Sequence, residues 1–94
     1  ATFDGDSGMS QILDLQGQTA NGTLTISNTI DGNTYTFIVI QGSGTYDLDF
    51  PSGYWINDSA FDFTTLADNE RAMVTITDFG SDLYFSAKKL TYVA

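Results

Sequence analysis

The 94-residue chain has no cysteine, no histidine, one proline, one glutamate and only three basic residues, Arg71, Lys88 and Lys89. Each shortage removes a class of function. Without Cys or His there is no Cys–His or Ser–His–Asp catalysis, no ordinary zinc site and no disulfide framework. Three cations against twelve acids leave a net charge of −9. That argues against nucleic acid, whose phosphates require clustered Lys and Arg, and against an anionic membrane surface. No apolar run approaches the ~20 residues of a membrane-spanning helix. Ala, Lys, Glu and Leu are sparse while Thr is abundant, a balance that favours strands over helices.

What is present is the composition of a folded protein, 41% hydrophobic and 14% aromatic, well away from a disordered acidic tail. The length suits one domain spanning residues 1–94, with ~60–65% of the unfolded surface buried on folding. The acids are spread along the chain, and like charge of this kind keeps a strand-rich protein soluble and its edges apart. Residues 1–11, "ATFDGDSGMSQ", read as an N-terminal arm or a loose first strand. An N-terminal Ala fits removal of an initiator Met, cleavage of a signal or excision from a longer chain. Asn21-Gly22-Thr23 and Asn57-Asp58-Ser59 match the glycosylation pattern, which is common by chance.

The periodicity is that of strands. "GTLTISN" alternates, with Leu24 and Ile26 on one face, and Asp31-Gly32 then gives a hairpin signal ahead of a strand from Thr34 to Gln41. That strand is apolar on both faces: Tyr35, Phe37 and Val39 on one, Thr36, Ile38 and Ile40 on the other. After the glycine turn Gly42-Ser43-Gly44, the residues Tyr46, Leu48 and Phe50 alternate with Thr45, Asp47 and Asp49, and Pro51 ends the run. Tyr54-Trp55-Ile56 and Phe61-Asp62-Phe63 read as short strands or packed loops, and "LADNERA" as a loop or single turn. Met73–Thr77 is a strand, "DFGSD" turns it, and Leu83–Val93 closes the chain. In the last strand Leu90 and Tyr92 fall on the face opposite Leu83 and Phe85, which predicts a bulge at Lys88-Lys89 or a change of sheet. The expected fold is all-β, an antiparallel β-sandwich or barrel of about seven to eight short strands.

Few residues offer chemistry. Asp47 and Asp49 share a face about 7 Å apart, a glycosidase-like spacing, but with no cleft implied they read as a solvated strand face. Asp4-Gly5-Asp6-Ser7-Gly8 has oxygen donors at alternate positions yet lacks the third ligand and the closing bidentate Glu of a calcium loop. No helix or Lys accompanies Gly42-Ser43-Gly44, so it is a turn and not a phosphate loop. The expectation is no catalytic residue, no metal and no cofactor. Tyr54 and Trp55 are the candidate ligand contacts, since a ring face can stack on a sugar while polar neighbours bond its hydroxyls. The competing role for Trp55 is to seal the core or a subunit interface.

From "GTLTISN" onward the chain resembles a recurring module of tailed-bacteriophage virion proteins, found in tail fibres and in head or tail appendages. The resemblance rests on an ordered series over residues 20–94. It comprises Gly32-x-x-Tyr35, an apolar strand running into Gln41, a glycine turn, Phe50-Pro51, Trp55, the Leu66 to Thr75 segment with "RAMVT", and the aromatic pair Tyr84-Phe85. Tyr54 stands where a basic residue is usual, and "NDSAF" replaces the usual glycine-rich turn after the Trp. The resemblance implies a non-enzymatic structural protein of the virion, a capsid appendage or tail-fibre module acting in host attachment or decoration. It also implies a homotrimer that contacts other virion proteins and a possible host-surface glycan. Ile38 and Ile40 would then form part of the oligomer interface, unless a second layer of the same chain covers them. The alternative is a secreted bacterial carbohydrate-binding module that places Tyr54 and Trp55 on a sugar.

Overall fold

The alternating C-terminal half forms the spine of the structure. The computed structural model describes residues 2–7, 10–56 and 59–94. Among them are nine strands: β1 (Thr2–Asp4), β2 (Ser10–Asp14), β3 (Gly22–Thr23), β4 (Thr25–Ser27), β5 (Thr34–Ile40), β6 (Leu48–Asp49), β7 (Tyr54–Trp55), β8 (Arg71–Phe79) and β9 (Asp82–Leu90). No α-helix occurs among the described residues. Gly80 (φ 61°) and Ser81 (φ 72°) make a two-residue turn whose paired positive φ values match the twist of the strands it joins. It folds β9 antiparallel onto β8 from Phe79↔Asp82 to Arg71↔Leu90. β5 pairs antiparallel with the other edge of β8, from Thr34↔Thr77 to Ile40↔Arg71.

Beyond this centre the expected antiparallel arrangement does not hold. β2 joins β5 and β7 joins β9, both in parallel, giving a five-stranded sheet in the order β2-β5-β8-β9-β7. The two small sheets, β1-β4 and β3-β6, are parallel as well, and the sheets do not close into a barrel. The reason lies in the turns. Asp31-Gly32 does turn the chain (Gly32 φ 87°), but it carries it from β4 into a different sheet instead of making a hairpin. Its bonds go to the β8–β9 hairpin: Gly80 N donates to Asp31 Oδ1 (2.8 Å), and Gly32 N donates to the Asp78 carbonyl (2.6 Å). The Gly42–Gly44 turn likewise separates β5 from β6, which pairs with β3. Parallel neighbours cannot be joined by a tight hairpin and need longer connections of this kind.

Among the described residues, only one face of the large sheet is covered. Tyr35, Phe37 and Val39 of β5, Ala72, Val74 and Ile76 of β8 and Phe85 of β9 are buried in one core with Phe3, Leu15, Leu24, Leu48, Phe63 and Leu66. The opening segment is therefore built into the fold: the Phe3 ring sits 5.6 Å from that of Tyr35 and 5.1 Å from that of Phe37. Phe50 packs between Trp55 (4.9 Å), Phe63 (5.7 Å) and Phe85 (5.2 Å). β9 runs unbroken in register to Leu90. The change of side at Leu90 thus needs neither a bulge nor a second sheet; Leu90 simply lies on the uncovered face.

Gln41, fully buried, is the polar pin of this core. Its Nε2 donates to the carbonyls of Tyr46 (2.7 Å) and Phe63 (2.8 Å). Its Oε1 accepts from the backbone N–H of Gly42 (2.9 Å) and Tyr46 (3.0 Å). The backbone of Gln41 donates to Glu70 O and accepts from Asn69 N, both at 2.9 Å. One residue thus ties the end of β5 to the 42–46 turn, to the 3-10 turn at Phe63–Thr65 and to the loop before β8. The turn it grips contains Thr45 at φ 51°, a left-handed conformation that costs a β-branched residue about 1–2 kcal/mol. Gly42 is required beside it, since a Cβ there would lie 2.5 Å from the Leu15 carbonyl oxygen. Replacing Gln41 with Leu keeps the volume and strands two N–H and two C=O groups. Urea unfolding should show a loss of about 3–5 kcal/mol; a loss under ~1 kcal/mol would mean that water or a rearranged turn replaces the amide.

Candidate functional site

The fold leaves open the face of the five-stranded sheet turned away from the core. Alternation places every second residue there, and the strand register sorts those residues into rows. One row runs Ile12, Ile38, Met73, Lys88 and the next Asp14, Ile40, Arg71, Leu90. Toward the other end of the sheet Thr36, Thr75 and Ser86 align, followed by Thr34, Thr77, Tyr84 and Tyr54. The face is therefore apolar at one end and hydroxyl-bearing at the other. Ile12 is 65% exposed and Met73 43% exposed, while Ile38, Ile40 and Leu90 are half-buried among their neighbours. At the other end the Thr34 and Thr77 hydroxyls are 3.0 Å apart.

Charge is also unevenly placed. Lys89 pairs with Glu70 (3.1 Å) at the end of the sheet. Arg71 and Lys88, the other two cations of the chain, stand exposed on the open face and make no ion pair among the described residues. Asp14 is the acid in their rows. Elsewhere, Glu70 is held below its ordinary value by the Ala67 N–H and then by Lys89. Asp62 is lowered by the hydroxyl and N–H of Thr64, whose turn it caps. Both folded values lie below the unfolded ones, so the stabilisation is present above the unfolded pKa and disappears as pH falls through the folded one.

Of the residues proposed as an interface, Ile38 and Ile40 both lie on this face; among the described residues no layer covers them in the way that Phe3 covers Phe37. The proposed sugar platform divides. Tyr54 and Trp55 form the short strand β7, so their side chains take opposite faces. Tyr54, 59% exposed, stacks on Tyr84 with ring centroids 5.3 Å apart and planes 19° from parallel. Trp55 packs inward on Phe50 and, at 5.3 Å, on Phe85. Ile12, Met73, Leu90 and Tyr84 escaped the sequence reading because only the pairing brings them beside Ile38, Ile40 and Tyr54.

The remaining candidates are engaged in local hydrogen bonds. Asp47 Oδ1 accepts from its own neighbour's N–H at Leu48 (3.0 Å), and the carbonyls of Asp47 and Asp49 accept from the N–H groups of Gly22 and Leu24. Asp4 Oδ1 accepts from Asp6 N and Asn28 Nδ2, both at 2.9 Å. No cluster of three metal-ligating side chains occurs among the described residues. Gly8, at the end of that segment, and Asn57-Asp58 of the second glycosylation pattern lie outside the described residues. Asn21 Oδ1 accepts from Asp47 N (3.0 Å). A groove of about 780 Å³ runs beside the Glu70–Lys89 pair under Thr91 and Tyr92. No buried side-chain polar atom among the described residues lacks a partner, so no unsatisfied polar group points to a bound ligand there.

No protein-family model matches the chain, and neither the curated proteins nor the solved structures compared with it give a match. The inward and outward rings make opposite predictions. Trp55→Ala opens the core beside Phe50 and Phe85 and should cost about 2–4 kcal/mol in chemical unfolding, whereas Tyr54→Ala should cost under ~1 kcal/mol. Equal losses at the two positions would contradict this division.

Proposed function

We propose that the chain is a non-enzymatic structural module of a bacteriophage virion, part of a capsid or tail appendage that serves host attachment or decoration. It assembles with copies of itself through the open face of its sheet. The observation that carries this reading is the one-sided cover: a five-stranded sheet has a core on one face and, on the other, Ile12, Ile38, Ile40, Met73 and Leu90 in adjoining rows. A chain that spreads eleven Asp over its length and still keeps these residues together has a use for them, since apolar patches on soluble chains mark contact surfaces. In this reading a neighbouring copy supplies the second layer of the sandwich expected from the sequence. The separate Tyr54–Tyr84 stack, beside the hydroxyls of Thr34 and Thr77, supports contact with a host-surface glycan at the other end of the same face.

Exchange of both Ile38 and Ile40 for Thr keeps strand propensity and removes much of the apolar row. Light scattering should give a multiple of the 10.2 kDa chain mass for the wild type and the single-chain mass for the double variant, with β dichroism retained. Raising salt should strengthen wild-type association, because −9 on each subunit is then screened. A wild type of single-chain mass at every concentration, or a double variant that keeps the wild-type mass, would remove the reading.

A further inference from the structure

The order of residues across the open face is symmetric about β5. On one side of Ile38 lies Ile12 of β2 and on the other Met73 of β8. On one side of Ile40 lies Asp14 and on the other Arg71. The apolar row thus reads the same from either direction, and the charged row reads with opposite signs. We infer that the open face is a self-complementary interface in which two copies of this chain pack face to face about a two-fold axis running along β5. This rests on the reading of the chain as a self-assembling module and specifies the arrangement of its copies, two in place of the three that the resemblance implies.

The geometry follows from the operator. A half-turn about an axis parallel to β5, midway between the two sheets, lays β5 over its own copy and β2 over the partner's β8 at the same height along the strands. Ile38 then faces Ile38 of the partner subunit, Ile12 faces Met73 of the partner subunit, and Asp14 faces Arg71 of the partner subunit, each contact occurring twice. Sheets packed in this aligned way lie ~10 Å apart with their strand directions within about 30° of each other, a gap that side chains of this size fill. An axis between β5 and β8 would instead set Ile12 against Lys88, Asp14 against Leu90 and Ile40 against Arg71, leaving all three charges facing apolar groups. The face has no other acid in its apolar rows, so the one Asp and the nearest Arg are what the symmetry pairs. A contact centred on three strands is at the small end of specific interfaces, and the pair should therefore dissociate on dilution through the micromolar range.

The test is charge reversal followed by mixing. In Asp14→Arg, and separately in Arg71→Asp, every copy would set like charges opposite each other at both contacts. Each variant alone should dissociate at least about tenfold more readily than the wild type. Mixed one to one, the two variants restore an opposite-charge pair at both contacts and should recover, by sedimentation, a species of twice the 10.2 kDa chain mass. Both positions are exposed. Should either variant fail to fold, Ile12→Lys mixed with Met73→Asp tests the other pair that the axis brings together, with the same expectation. Variants that keep the wild-type mass alone, or that fail to recover on mixing, overturn the two-fold pairing while self-assembly stands. A three-chain wild-type mass does the same. A wild type that remains a single chain overturns both.

Discussion

Gln41 is the constraint on which the rest of this structure depends. A buried primary amide must satisfy two donors and one acceptor, and here it does so by gripping the backbone of two turns. The covering segments that carry Leu48, Phe50 and Phe63 are short and have few ladder bonds of their own; β6 has two residues and the Phe63–Thr65 turn three. Such pieces are held by the polar groups that fix their ends and by the rings that pack beneath them. Without the amide, the strained Thr45 turn and the Phe63 turn would lose what holds them against the sheet.

The one-sided architecture follows from chain length as well as from this pin. Three long strands, β5, β8 and β9, make a sheet whose two faces both carry apolar side chains. The remaining residues suffice to clothe one of them, with Phe3, Leu24, Leu48, Phe63 and Leu66 as the cover. A 94-residue chain has little surface to spare for a second cover. The uncovered face is where the acidic chain places two of its three cations, so the least repulsive and the most apolar part of the surface coincide. That coincidence links the fold to the assembly function proposed for it.

Much of this was legible in the sequence, and the part that was not has a common cause. Strand identity was readable wherever alternation ran for five or more residues, as in β5, β8 and β9, and the Gly80-Ser81 turn was readable from its chemistry. Partnership was not. Asp31-Gly32 and Gly42–Gly44 signal turns, but a local signal does not say whether the next strand pairs with the last one or crosses to another sheet. Crossovers here make four of the six pairings parallel among the described residues. The site suffered the same limit. Ile38 and Ile40 were visible from their own strand, but Ile12, Met73 and Leu90 become their neighbours only through the pairing. Tyr54 and Trp55, adjacent in sequence, were read as one platform, and a two-residue strand sends them to opposite faces.

The central claim, that the open face is covered by a second copy in the working protein, is tested most directly on the isoleucine methyl groups. A soluble paramagnetic agent relaxes methyls that water can reach. As protein concentration rises from micromolar to millimolar, Ile12, Ile38 and Ile40 should become protected together. Ile30 and Ile56, 60% and 58% exposed and outside the sheet strands, should keep their response unchanged. Unchanged relaxation at Ile12, Ile38 and Ile40 over that whole range would contradict the account, because the apolar face would then remain in water at every concentration.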